Sequence, residues 1–349
     1  MDIASVRILR LAFGTAVSLW FSQAVAWPLS YIAPVITMFL LALPLPALKL
    51  KMGVGLVVVM SASLYGGLLL LPPLQNQPMV GVLLLVLALY WCFYFTAKGG
   101  SAVLGTFATM GIAVSTAIGT VNLDAVIAII NNLATGAAIG VLFVWVAHAF
   151  VNDSLADDGA AGPQQKPPAP PKPDLAVARR SALRSLLIVL PIALFFLFSS
   201  ASAAYVPVMI KVAAMGQQAT NEATRLAGKS LLQSTVIGGV GAIIGWQILG
   251  LAPTLPVYAV YIALAALVMG PKIFQGRALH PDAATWSYGL LTMIVILAPA
   301  VADSLIGGPA NAKFLDRLWM FILATIYAVA TVYVFDAFAA HRRRQRQAV

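Results

Sequence analysis

The side chains with chemical potential gather in one stretch, residues 204–239, AYVPVMIKVAAMGQQATNEATRLAGKSLLQSTVIGG. Lys211 stands in the middle of an apolar run, where a charge costs roughly 2.5–3.5 kcal/mol on insertion scales and must face a cavity or a partner. The chemistry it offers is electrostatic anchoring of an anionic substrate. A lysine whose stem reaches out to the membrane surface, or one held in a structural ion pair, fits the sequence equally well. Gln217, Gln218 and Asn221 follow as neutral polar contacts for the same substrate. Glu222, Arg225, Lys229 and Gln233 then recur at i, i+3, i+7 and i+11, one stripe of a helix. Glu222 is the sole glutamate in the chain. It is the candidate proton-coupling carboxylate, set against a plain surface salt bridge to Arg225.

These groups require a helix that is short and begins late. The apolar part of the segment, 204–217, has about 14 residues and reaches about 20 Å at 1.5 Å per residue, less than the ~30 Å hydrocarbon core. Pro207 lacks a backbone donor and marks a helix break. Pro34 marks the same break in an echo at 31–67, YIAPVITMFL…ALKLKMGVG…YGG. Short or proline-interrupted segments at matching places in two halves point to a transporter's binding site.

The rest of the 349 residues sets the medium. Sixty-one per cent are hydrophobic and only 9% charged, with a mean hydropathy of +0.94, whereas soluble domains carry about a quarter charged residues. The chain is read as an all-α integral membrane protein, with the lipid bilayer as its first partner. A net charge of +10 raises nucleic acid as a partner, but the basic residues sit at the ends of apolar runs and do not interleave with aromatics. The single cysteine, Cys92, excludes an internal disulfide. His148, His280 and His341 show no metal-ligand spacing, so neither a metal nor a cofactor is expected. There is no HExxH, G-x-S-x-G or phosphate-binding loop, so an enzyme is not expected either.

Candidate spans fall at 8–26, 31–47, 52–71, 79–96, 101–120 and 125–149, then at 184–203, 204–217, 226–249, 256–270, 284–302 and 318–339, twelve in all. Arg7, Arg10 and Ala24-Val25-Ala26 resemble a cleaved leader, but the matching opening of the second half argues for a true span. Of the 21 basic residues, all except Lys211, Lys313 and Arg317 fall on one side of this threading. The positive-inside rule then places both termini in the cytoplasm.

The organisation read from this is a first six-helix repeat at 1–151, a Pro-rich cytoplasmic linker at 152–183, a second six-helix repeat at 184–340 and a basic cytoplasmic tail at 341–349. Arg7 aligns with Arg180 and Pro34 with Pro207 at a common offset. Six spans per half make the repeats parallel. The linker reads as an extended tether, a docking peptide for a proline-reading partner being the alternative. Asn131-Asn132 and Asp316-Arg317 occupy equivalent places near the opposite membrane face, as a candidate gate or as interfacial residues. Asp124, Asp303 and Asp336 read as helix-end residues. Gly241 and Gly245 have the spacing that lets helices approach closely.

At the proline-bearing spans and the basic, Gly-rich helices after them, the sequence resembles the fusaric acid resistance and aromatic acid exporter superfamily. Its motif of an arginine, a glycine, a threonine and further glycines in each half is resembled by Arg225, Gly228, Thr235, Gly238 and Gly239, and more loosely by Lys51, Gly53, Ser61 and Gly66. The short linker stands where larger members carry a cytoplasmic domain, which places the resemblance with a compact subgroup. The resemblance implies a bacterial inner-membrane exporter of aromatic carboxylates or related weak acids, working with a periplasmic adaptor of the membrane-fusion type. Distant plant relatives that are malate channels keep a passive organic-anion channel open. A membrane scaffold for an adaptor is a further alternative, and a homo-oligomer is left open.

Overall fold

The computed structural model describes residues 1–27, 29–118, 123–155, 174–198, 206–221, 224–305 and 310–347. In chain order these form α1 (Ile3–Ala24), α2 (Ile32–Leu41), α3 (Leu50–Leu68), α4 (Leu71–Asn76), α5 (Pro78–Ala97), α6 (Ala102–Ile118) and α7 (Leu123–Phe150). There follow α8 (Leu175–Phe198), α9 (Val206–Asn221), α10 (Thr224–Leu251), α11 (Leu255–Met269), α12 (Ala283–Leu305) and α13 (Ala310–Gln347). Among the described residues the only strands are β1 (Phe274–Gln275) and β2 (Ala278–Leu279), a small antiparallel hairpin between α11 and α12. Nine described helical stretches are long and apolar enough to cross a membrane, and α2 and α6 are shorter apolar helices. The chain is an all-α, multi-pass membrane protein.

Three boundaries differ from the sequence reading. The run at 52–71 ends as a helix at Leu68, and Pro72 and Pro73 open a separate short helix, α4, because proline is tolerated in a first turn but not in a helix interior. Helix α8 begins at Leu175, nine positions before the expected span at 184. The added turns are amphipathic: Ala178 and Ala182 are buried while Arg179 and Arg180 are exposed, so an apolar-run criterion misses them. Helix α13 continues to Gln347 through most of the expected tail. The core of the Pro-rich linker, 156–173, lies outside the described residues.

Two compact units form, and each draws on both halves of the chain. Unit 1 comprises Met1–Val57, Asn131–Lys172 and Val236–Leu315; unit 2 comprises Val58–Ile130, Pro173–Thr235 and Asp316–Val349. In unit 1, α2 packs on α1 and α12, and α1 packs along α11. Gly136 and Gly140 of α7 admit α2: a methyl group on either would meet Ile32 or Ile36 at 2.9 Å. The Thr37 hydroxyl lies 2.8 Å from the Ala33 carbonyl and 3.0 Å from that of Gly140. In unit 2, α9 packs on α8, α6 and α5, and α8 packs along α5.

Two short helices, α2 and α9, are enclosed. Every side chain described in α9, residues 206–220, is buried, and in α2 only Phe39 is partly exposed. Helix α9 has 16 residues and α2 has 10, about 24 Å and 15 Å at 1.5 Å per residue. Neither covers a ~30 Å core, so their end carbonyls must find partners inside the protein. Helix α8 supplies them for α9. The Arg184 guanidinium donates to the Ala219 carbonyl, the Ser181 hydroxyl donates to the Thr220 carbonyl at 3.0 Å, and the Ser185 and Thr220 hydroxyls lie 2.7 Å apart. In unit 1 the end of α7 is met by Arg10, whose Nε donates to the Val151 carbonyl at 2.9 Å while its Nη2 pairs with Asp153.

The sequence groups Arg184 with the basic residues of the membrane surface, but it is 4% exposed and holds a helix end instead. Arg184→Met is expected to cost about 1.5–3 kcal/mol, the range for hydrogen bonds to charged groups. Arg180→Met, at an exposed position on the same helix, is expected to stay within about 0.5 kcal/mol. Unfolding of both variants in detergent micelles checks this.

Candidate functional site

Helix α9 presents two polar faces to the interior of unit 2. Lys211, Met215 and Gln218 recur at i, i+4 and i+7 and share one face. Lys211 is 1% exposed, which is incompatible with a side chain that runs out to the membrane surface. Gln218 Nε2 donates to Ser230 Oγ of α10 at 2.6 Å. Thr325 of α13 places its hydroxyl 3.0 Å from Thr235 Oγ1 and 3.7 Å from Met215 Sδ, besides bonding its own Phe321 carbonyl at 2.7 Å. The result is a buried seam with one cationic group, one carboxamide and three hydroxyls, a set that both donates to and accepts from a polar solute.

The other face carries Gln217, fully buried. Its Nε2 donates to Thr109 Oγ1 of α6 at 2.8 Å, and its Oε1 has no partner. Thr109 in turn donates to the Gly105 carbonyl at 2.8 Å. Reversing the amide would draw that hydroxyl away from Gly105 and strand the NH2 group, so one end of the carboxamide is orphaned in either orientation. Gly105 is required here: a methyl group on it would lie 1.9 Å from Thr96 Oγ1 and 3.4 Å from Gln217 Nε2.

Of the expected site residues, the structure therefore gathers Lys211, Gln217 and Gln218 on one buried helix. It does not bring Lys229 and Gln233 to them. Both are exposed, because the buried stripe of α10 runs through Gly228, Leu231, Ser234, Thr235 and Gly238. Of the expected stripe, the two members whose side chains are described thus face outward. Asn221 ends α9 and Arg225 lies in the first turn of α10, while their side chains and Glu222 lie outside the described residues. Pro34 and Pro207 are the third and second residues of α2 and α9; each marks a helix start, where a missing N–H costs nothing.

The candidate gate residues fall in different units, Asn131 and Asn132 in unit 1 and Asp316 and Arg317 in unit 2. Asn131 is exposed and Asn132 half-buried on α7; on α13, Asp316 is exposed and Arg317 buried. Asp303 is paired with Lys313 at 3.1 Å. Gly241 and Gly245 serve packing: Tyr261 donates to the Gly241 carbonyl at 2.5 Å, and a methyl group on Gly245 would meet its ring at 2.4 Å. Among the described residues no group of three His, Cys, Asp or Glu is placed to hold a metal. An open apolar groove of about 340 Å³ beside Val59, Gly66, Leu70 and Ala88 is lined by none of the seam's residues.

Ser230, Thr325 and Thr109 do not stand out in the sequence, and Thr235 enters it only as part of a motif. Their signal is a hydroxyl in the middle of an apolar run, which is also how a helix satisfies a threonine on its own i−4 carbonyl.

The profile of a family described as a protein of unknown function (DUF2955) matches residues 7–147, from the start of α1 to the last turn of α7. Comparisons with curated proteins and with solved structures returned no match.

The Gln218–Ser230 contact can be weighed directly. A cycle of Gln218→Leu, Ser230→Ala and the double variant is expected to yield a coupling of about 0.6 kcal/mol and no more than about 1.7, the span for hydrogen bonds between membrane helices. Thermal or denaturant unfolding in micelles measures it.

Proposed function

We propose that the chain is an inner-membrane secondary transporter that exports organic weak-acid anions, aromatic carboxylates foremost, with both termini in the cytoplasm and a periplasmic adaptor as its partner. The observation that carries the reading is the enclosure of Lys211 within unit 2, on a helix shorter than the membrane is thick. An ionisable group inside a membrane bundle marks a substrate or ion pathway by default. The buried Gln218 carboxamide and the hydroxyls on the same face suit the remaining acceptors and hydroxyls of a hydroxylated aromatic acid.

The duplicated, twelve-span architecture belongs to the same proposal. It pairs α1 with α8, α2 with α9, α3 with α10, α5 with α11, α6 with α12 and α7 with α13. Two sets of contacts support it. Helix α1 packs along α11 and α8 along α5; α2 packs on α12 and α9 on α6. Each contact is the image of its mate under that pairing. Helices α2 and α7 meet through Thr37 and Gly140, and their proposed counterparts α9 and α13 meet through Met215 and Thr325. The matched family profile ends where the first six spans end, which suits a six-span half as the unit of duplication.

Purified protein in liposomes is expected to move 4-hydroxybenzoate in a saturable manner that depends on a proton gradient. Lys211→Met is expected to lower uptake at least about tenfold, the weight of one charge-assisted contact, and Lys211→Arg to retain part of it. Unchanged transport in Lys211→Met rejects the lysine as the anchor. Large unitary currents insensitive to the gradient reject the carrier in favour of a channel.

A further inference from the structure

A second set of polar groups, in unit 1, is not used by the proposed lysine site. Gln23 Nε2, the Trp27 indole N–H and the Tyr258 hydroxyl are each buried and without a hydrogen-bond partner. Gln23 is 8% exposed and Tyr258 1%. An unmet buried donor costs about 1–3 kcal/mol, so three in one region call for a ligand or ordered water.

Backbone geometry brings the first two together. Helix α1 ends in a 6→1 and 5→2 pair of hydrogen bonds, Trp27 N to the Ser22 carbonyl at 3.1 Å and Ala26 N to the Gln23 carbonyl at 3.0 Å. This is the Schellman arrangement, with Ala26 in the left-handed position that usually takes glycine; its φ is +52°, and Leu29 follows at +58°. Two left-handed residues other than glycine within one turn cost of order 1–3 kcal/mol each. The motif turns the backbone so that Trp27 follows directly on the last turn of α1, which carries Gln23.

Helix packing brings in the third. Helix α11 packs along α1, and a methyl group on Gly270 would meet Ile8 at 2.5 Å. The helices run antiparallel, and Tyr258 lies about 18 Å from Gly270 at 1.5 Å per residue. The same distance from Ile8 reaches the level of Trp20. A tyrosine on a helix leans toward that helix's N-terminus, which for α11 is toward Gln23.

We propose that Gln23, Trp27 and Tyr258 form an oxyanion-binding subsite at the α1–α2 turn, which takes a carboxylate on its three neutral donors and an aromatic ring beside Trp27 and Tyr258. Three donors without a formal charge select an acceptor-only group and hold it less tightly than an ammonium does. The subsite lies at the opposite end of α1 from Arg7 and Arg10, which makes it a release-side station for the organic anion. The choice of an aromatic acid rests on the exporter reading above. A lipid phosphodiester offers the same acceptors, so both sources are tested.

The test titrates the full-length protein in micelles with sodium benzoate and, separately, with phosphatidylglycerol, following tryptophan fluorescence. Trp27→Phe identifies the responding component. Benzoate is expected to change the Trp27 signal, with affinity reduced about tenfold in Tyr258→Phe and in Gln23→Leu and unchanged in Lys211→Met. Loss of transport in Lys211→Met with this binding intact supports both sites. Binding intact with no transport of any acid by the unaltered protein leaves the subsite standing and overturns the exporter reading. A response to phosphatidylglycerol alone, lost in the same variants, keeps the oxyanion site and assigns it to a lipid headgroup. No Trp27 response to either probe, or a response equal in all four proteins, overturns the subsite and leaves the donors to ordered water.

Discussion

Hydrocarbon offers no hydrogen-bond partner, and that constraint governs α9. A helix of 16 residues carrying Lys211, Gln217 and Gln218 cannot face lipid at its ends or along its length. The protein answers by enclosing it. Every described side chain of α9 is buried, its last carbonyls are met by Arg184 and Ser181 of α8, and Gly216 admits Val189 and Phe93 where a methyl group would stand 2.5–2.9 Å from them. Once a short helix is surrounded in this way, a lysine and two carboxamides become tolerable at a depth where they would otherwise prevent insertion.

Unit 1 meets the same constraint with different chemistry. Its short helix, α2, is apolar apart from Thr37, whose hydroxyl is satisfied by carbonyls of α2 and α7. Where α9 carries Lys211, the position in α2 at the offset shared by Pro34 and Pro207 is Met38, fully buried. The charge is thus present in one enclosed helix and absent from the other. The packing asks only that the short helix be surrounded, so the two enclosed helices can differ in charge.

Most helices are legible in the sequence because about 20 consecutive apolar residues are the length a bilayer demands of a spanning helix. Helix α9 is legible because a proline, a lysine and two glutamines interrupt such a run. The direction in which α10 faces is not. In a soluble protein the apolar face points inward, but here both lipid and protein interior are apolar, so hydropathy carries no phase. The buried stripe of α10 is instead its small and hydroxylated residues, Gly228, Ser234, Thr235 and Gly238, as expected where close approach drives packing. Choosing Lys229 and Gln233 by charge therefore selects the exposed side. Arg184 misleads for the related reason that a cation at the end of a span reads as a surface residue, whereas this one lies beside a helix terminus whose carbonyls attract it.

On the proposed reading the two polar stations differ in the strength with which they hold an anion, and that difference has mechanistic content. A solute must be bound well enough to enter and weakly enough to leave. Lys211 brings a full charge into a low-dielectric surrounding, where Coulombic attraction is large, whereas the donors of Gln23, Trp27 and Tyr258 carry only bond dipoles. On the proposed reading, the tighter station is the one that must compete for a dilute solute and the looser one is suited to release. The strained backbone at Ala26 and Leu29 is consistent with a turn held in place to position donors.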